Sequence, residues 1–455
     1  MCENAAMSRN LYTLLLYLLL PLTPLKLLWR ARKQPEYLDY WQERYGFYRQ
    51  PSKKPVIWLH CVSVGETRAA EPLIKALLQQ YPGHQILLTH TTPTGRATSQ
   101  QLFGDQIARV YLPYDLPFAV KRFLKHFKPV IGVLMETELW FNLINHCKQQ
   151  QVPLLLVNAR LSEKSAHGYR KLGKLMNEGL QGLTAVAAQS AQDAARLQGL
   201  RAANVSVVGN IKFDVAPHPD AVTQGKLLRD SLGNERPVFL AASTRDGEEA
   251  LILAAVAQAN IPNLLTIVVP RHPQRFDEVA ELFKKNSLNF VRRSSLLKKC
   301  VEKREREAKE DATQTVQIVR QVADDAGDKV IVNPHISFVL GDSMGEMFTY
   351  YASCDVAFIG GSLLPLGGQN LIEACSMGKP VLIGPHTFNF EQATEMAITA
   401  GAAQRVHDSS DLAQHLQALF ADNDKQRTMS AAALRFSNQS RGATQRTLNL
   451  LSQFI

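Results

Sequence analysis

The sequence predicts an α/β protein: two doubly wound, Rossmann-like domains with a hydrophobic helix ahead of them. Three observations carry this. Strand-like apolar runs alternate with helical stretches in units of about 25 to 40 residues. Prolines and polar residues break that periodicity at residues 214–220, between two such series. Residues 11–29, LYTLLLYLLLPLTPLKLLW, carry only Lys26 as a charge and are followed by Arg30, Arg32 and Lys33. The divisions expected are 1–33 for a membrane anchor with its basic flank, 34–218 and 219–435 for the two domains, and 436–455 for a terminal helix packing back toward the first.

At 455 residues the chain can bury two or three cores. Lys plus Arg total 51 against 41 for Asp plus Glu, a net charge of +10 that favours anionic partners. No compact basic-aromatic motif or finger spacing points to nucleic acid. The six cysteines never form CxxC, so they read as reduced thiols of a cytoplasmic setting rather than as disulfides or zinc ligands. A spanning helix needs about 20 apolar residues. The N-terminal run sits at that limit and is interrupted by Pro21 and Pro24, with no small-residue cleavage site after it. A short span, a helix lying in the interface and a helix docked on the body all fit. The basic flank places the body on the cytoplasmic side. Residues 41–48, WQERYGFY, read either as an interfacial aromatic patch or as a clasp.

In the first domain, residues 56–60 form a strand, SVG a turn, and Glu66 opens a helix running to about Gln79. A carboxylate there is stabilised by free amides and is often only a cap. At the exit of a parallel strand it is equally a candidate base. Residues 85–100 repeat the pattern: Thr91, Thr92, Thr94 and Gly95 suit an oxygen-rich ligand, or the stretch is a simple loop with Thr94 capping the helix. Glu136 and Glu138 follow a buried-type strand, on opposite faces if the chain stays extended. Arg160, Lys164 and Arg170 form either an anion site or a solvated basic face. Asn210, Lys212 and Asp214 close the series.

In the second domain, residues 237–244 and 264–270 are strands, the first followed by an STRDGEE loop and the second by Arg271 and His272. Arginine there suits phosphate. Residues 298–329 read as a charged surface excursion without chemistry. Residues 341–390 then alternate strands with glycine-rich turns at the places where open α/β sheets bind ligands. Glu373 stands three residues after Asn370, a capping-box spacing.

Two nucleotide-style sheets facing one cleft, without GxGxxG, a Walker lysine or HExxH, fit a sugar-nucleotide transferase. No carboxylate cluster calls for a metal, so no cofactor is expected. The motifs then carry a resemblance. SVGET, TPTG, YLPYDLP, METELW, NARLSEKSAHGY, KFD, VPRHPQRF, GDSMGE, FIGGSL, GGQN and GPHTFNF together resemble the bacterial transferases of 3-deoxy-D-manno-octulosonic acid (Kdo) of lipopolysaccharide and lipid A assembly. The resemblance spans nearly the whole chain. It implies a GT-B fold anchored on the cytoplasmic side of the inner membrane, and an inverting transfer of Kdo from CMP-Kdo to a tetra-acyl, bis-phosphorylated lipid A precursor. Glu66 matches the general base, and Glu136 and Lys212 match transition-state stabilisers. Pro270, Arg271, Met344, Gly345, Glu346, Asn370, Leu371, Ile372 and Glu373 match positions that hold CMP. GGQNLIE replaces the usual GGHNPLE, so Gln369 cannot take a charge, and STRDGEE replaces STHEGEE, keeping a cation at Arg245. The alternatives are a related enzyme with another lipid acceptor or nucleotide sugar, and an inactive membrane-tethered scaffold.

Overall fold

A computed structural model describes residues 7–49, 52–214, 217, 219–296, 333 and 335–455. The chain forms two compact units, Met1–Asp214 with Ser440–Ile455, and Val215–Gln439. The predicted excursion at 298–329 lies outside the described residues.

The first unit holds a parallel sheet of β1 (Val56–His60), β2 (Gln85–His90), β3 (Ala108–Tyr111), β4 (Pro129–Met135), β5 (Leu154–Ala159), β6 (Ala185–Ala188) and β7 (Val205–Val207). Their order is β3-β2-β1-β4-β5-β6-β7. Both faces are covered by helices, which is why the central strands read as unbroken apolar runs. Trp58, Phe123, Leu134 and Leu156 fill one face. Leu59, Leu73, Ile131 and Leu155 fill the other. Gly132 on β4 is required by the first of these cores, because a Cβ there would lie 2.6 Å from the Trp58 ring. The strand order reverses between β1 and β4, and the carboxyl ends at such a reversal are where open α/β sheets bind ligands.

The helix expected from Glu66 onward is two helices, Val64–Ala69 and Glu71–Gln80. Pro72 explains the break, since it has no amide to continue the ladder. The helix after β2 is capped by Thr92, whose hydroxyl accepts from the Gly95 amide at 3.2 Å, so the alternative of a Thr94 cap does not hold. The terminal helix Ala443–Leu451 buries Ala443, Leu448 and Leu451 in the second core of this same unit.

The hydrophobic N-terminal run is broken as well. It forms α1 (Arg9–Leu19) and α2 (Leu22–Ala31), bent by 58°. Among the described residues no single helix is long and apolar enough to cross a membrane, but this bent pair passes by length and composition. Leu14, Leu18, Leu25 and Trp29 are exposed, each by more than half. On its inner side, Tyr12 donates to Asp115 at 2.9 Å and Thr13 to Asn142 at 2.9 Å. Segment 41–48 acts as a clasp: Glu43 accepts from Arg96 and from the Tyr111 amide, Arg44 stacks on Tyr111, and Tyr45 bonds Thr23 of α2. Trp41 and Phe47 remain exposed beside it.

The second unit has β8 (Val238–Thr244), β9 (Leu265–Pro270), β10 (Phe290–Arg292), β11 (Phe338–Leu340), β12 (Val356–Ile359), β13 (Val381–Ile383) and β14 (Ala403–Arg405), in the order β10-β11-β9-β8-β12-β13-β14. All pairs are parallel. The edge strands β10 and β14 have three residues each, too short to show a periodicity in sequence. β8 and β12 flank its reversal point, and the 341–390 stretch supplies β12, β13 and their loops.

Candidate active site

In the first unit the polar residues gather beyond β1, β4 and β5. Glu66 lies in the first turn after β1, and Ser63 caps that turn. The Val62 amide donates to Glu66 Oε2 at 2.7 Å and the Ser63 hydroxyl to Oε1 at 3.0 Å. These bonds fix the carboxyl group, as a cap does. Burial nevertheless pushes its pKa up to about 7, and the negative charges of Glu136 and Glu138 add to the rise. A carboxyl group titrating near neutrality is suited to taking a proton from a hydroxyl.

Glu136 is the first residue past β4. Its φ of +58° takes the chain out of the extended conformation, so the opposite-face alternation expected for Glu136 and Glu138 does not apply. Its carboxylate accepts from Lys212 Nζ at 2.9 Å and faces Arg160 Nε at 3.6 Å on its other oxygen. Of the basic trio at 160–170, Arg160 alone joins this group, while Lys164 and Arg170 are exposed on the next helix.

Lys212 rides on a one-turn helix, Ile211–Asp214, fastened at three points. Asn158 Oδ1 accepts from the Ile211 amide at 3.1 Å and Asn210 Oδ1 from that of Lys212 at 3.0 Å. Asp214 accepts from the amides of Gly442 and Thr444, at the start of the terminal helix. Asn158 is itself wholly buried at a register shift in β5, with φ +55°. Bulged, left-handed positions of this kind recur beside functional sites.

In the second unit Pro270 ends β9, and the Arg271 amide donates to Thr244 O at 2.9 Å, extending the pairing with β8. Two buried glutamates shape the loops around it. Glu248 accepts from the amides of Arg245, Gly361, Ser362 and Leu363. Glu249 accepts from Thr244 and takes two bonds from Arg275, at 2.6 and 3.0 Å. Met344 is exposed, Gly345 has φ +81°, and Glu346 accepts from Ser343 and pairs with Arg293 at 3.4 Å. Asn370 caps the helix Leu371–Ser376 by accepting from the Ile372 amide, and its own amide donates to Glu373 at 3.1 Å. The side chains of Leu371 and Ile372 are wholly buried, so this turn offers a ligand only backbone there. Among the described residues no group of three or more His, Cys, Asp or Glu could hold a metal ion.

Residues 39–215 match the family model "3-Deoxy-D-manno-octulosonic-acid transferase (kdotransferase)". A 3-deoxy-D-manno-octulosonic acid transferase of Bordetella pertussis is 40% identical, the similarity covering 99% of this chain and 100% of the relative. The chain belongs to the Kdo transferase family. A second transferase, from Haemophilus influenzae, is 35% identical with 99% of each chain covered. As a member of this family the protein is a glycosyltransferase.

Solved structures agree on the fold. A UDP-GlcNAc 2-epimerase from Neisseria meningitidis matches with a TM-score of 0.55 at 12% identity, over 88% of this chain and 100% of that one. A glycosyltransferase from Rickettsia africae gives 0.54 at 15%, over 89% and 99%. Two parallel α/β units of the GT-B kind are therefore the architecture of this transferase.

Sequence reasoning did not single out Ser63, Glu249, Arg275 or Arg293, each of which fixes one of the predicted site residues or its loop. Asn158 and Glu248 were visible only as polar residues at strand and helix ends. What identifies them is partners 53 and 113 residues away.

Proposed function

We propose that this transferase moves Kdo from CMP-Kdo to a hydroxyl of a tetra-acyl, bis-phosphorylated lipid A precursor with inversion, releasing CMP. The observation that carries the reading is the constellation of the first unit. Glu66, held at a strand exit and titrating near 7, stands in the electrostatic neighbourhood of the Glu136–Lys212 pair. Glu66 takes the acceptor proton as the hydroxyl attacks the anomeric carbon. Lys212, oriented by Glu136, offsets negative charge that develops in the transition state. In the second unit, Pro270 and Arg271, the trio Met344, Gly345 and Glu346, and residues 370–373 bind the CMP part of the donor. Arg271 supplies a permanent positive charge for the phosphate.

The acceptor is a lipid, and the exposed leucines of α1 and α2 with Arg30, Arg32 and Lys33 beyond them suit attachment to the cytoplasmic face of the inner membrane. The test is to incubate the purified protein with CMP-Kdo, generated in situ, and the lipid A precursor, and to weigh the product. A mass gain of one or more Kdo residues is expected. No gain with this pair, against a gain with another nucleotide sugar, would replace the reading.

A further inference from the structure

We propose that Arg245, with Gln369 beside it, forms a carboxylate-binding subsite for the acidic sugar of the donor, distinct from the group that holds the donor's phosphate. This rests on the donor reading above.

The backbone around Arg245 is pinned. Ser243, two residues earlier, has φ +57°, Thr244 O accepts from the Arg271 amide, and the Arg245 amide donates to Glu248 at 2.9 Å. The same carboxylate gathers three consecutive amides at the exit of β12, so the β8 and β12 loops share one buried anchor. Gly361 lies between them with φ +71°. A Cβ there would sit 3.1 Å from Gln369 Nε2 and 3.4 Å from Arg245 Cγ, so both side chains lie over the same bare backbone. The main chain of Gln369 is fixed in turn, its backbone N–H donating to Gly360 O at 3.0 Å.

Three arginines gather at this rim, among the carboxylates of Asp246, Glu248, Glu249 and Glu278. Arg245, Arg271 and Arg275 all contribute positive charge at His272 and, after burial, hold its pKa below the ordinary histidine value. Arg275 is committed to Asp246, Glu249 and Glu278. Arg245 is half-buried, and among the described residues no hydrogen bond or ion pair to its guanidinium is present. Its donors are therefore open to an incoming anion.

The donor brings two anions. An octulosonic acid linked through its anomeric carbon has its carboxylate on the same carbon that bears the phosphate. Arg271 and Arg245 leave neighbouring strands, which run about 4.8 Å apart, a spacing that suits two anions on one carbon. The planar fork of Arg245 fits a carboxylate through two parallel bonds. The Gln369 amide adds a donor that needs no protonation. Nucleotide donors of neutral sugars would leave Arg245 unpaired, so the subsite selects for acidic sugars.

The test compares the donor KM with inhibition by CMP, which keeps the phosphate and lacks the sugar carboxylate. In the full chain, Arg245→Ala is expected to raise the KM for CMP-Kdo about ten-fold or more while CMP inhibits as before. Arg245→Lys recovers part of the loss. Gln369→Glu, which fills the subsite with an internal carboxylate, raises the donor KM in the same selective way, whereas Arg271→Ala weakens donor and CMP together. Parallel weakening of donor and CMP in Arg245→Ala would mean that this residue holds phosphate, and overturn the proposal. Unchanged constants in Arg245→Ala and Gln369→Glu would overturn it as well. A wild-type protein that binds CMP but does not turn over CMP-Kdo would instead remove the donor reading, and the subsite with it.

Discussion

Glu66 carries two demands that pull against each other. Its bonds to Val62 and Ser63 favour the charged form, while burial and its acidic neighbours favour the neutral one, and the balance lies near pH 7. A base must be ionised, and its ionised fraction grows as pH rises through about 7. The kcat/KM for the acceptor should therefore climb from pH 6 to 8, with an acid limb near neutrality. Glu66→Gln keeps the shape, cannot take the proton, and should lower kcat by about 10²- to 10⁴-fold with CMP binding intact. Steady-state kinetics across that pH range checks both outcomes, and near-normal turnover by a folded Glu66→Gln variant would remove Glu66 as base. Lys212→Met should act through the same group. It leaves Glu136 without its closest cation, which raises Glu66 further, so the acid limb should move to higher pH as kcat falls. A limb that stays in place in Lys212→Met would uncouple the two sites. At this scale the sequence was informative about position, placing Glu66, Glu136 and Arg271 at strand exits as the structure does. It was silent on Glu249 and Arg275, whose importance comes from burial and from each other. Glu249 is 2% exposed, and Arg275→Ala would leave that carboxylate uncompensated. A loss of about 3 to 5 kcal/mol is expected in chemical unfolding.

The α1 helix shows how an element can be legible in composition and still misjudged in form. Its apolar run predicts membrane attachment, but not the bend, which needs Pro21 together with the polar contacts of the inner face. Those contacts converge on Asp115, which is wholly enclosed and accepts from Tyr12 and from the amides of Asn142 and Leu143. Burial pushes its pKa up to about 7 despite these donors. For an acid raised in the folded state, the folded protein binds more protons than the unfolded one between pH 4 and 7, so stability falls as pH rises through that window. Asp115→Asn removes this contribution and should flatten the decline, read as the urea midpoint of the first unit between pH 4.5 and 8. An unaltered slope would mean that Asp115 stays ionised throughout. Tyr12→Phe keeps the ring against Phe141 and loses only the hydroxyl bond, so it should cost about 1 kcal/mol. The strands were easier to read than this helix because cover on both faces leaves β1, β4, β5, β8 and β9 mostly apolar. The three-residue edges β10 and β14 offer no such signal.

Across the whole chain, the two units are not two consecutive pieces of sequence. Residues 440–455 return to the first unit after the second has been completed. The amphipathic pattern of RGATQRTLNLLSQFI shows a helix, expected to pack back toward the first domain, but not which residues of that domain it meets. The structure gives that helix two tasks. Leu448 and Leu451 complete the core that contains Ile57, Leu73 and Leu155, and its first amides hold Asp214 at the end of the Lys212 turn. Burying two leucines contributes about 3 to 6 kcal/mol, a large share of the 5 to 15 kcal/mol that typically holds a domain together. Truncation after Gln439 should therefore strike the first unit selectively. Calorimetry should show one unfolding transition lowered or lost, while the transition that CMP raises remains, since Val215–Gln439 is uncut. Transfer should be lost even at temperatures where the truncated first unit still folds, because the turn carrying Lys212 has lost one of its three fastenings. A truncated chain that keeps both transitions and full turnover would show that the terminal helix neither supports that core nor holds the lysine in place.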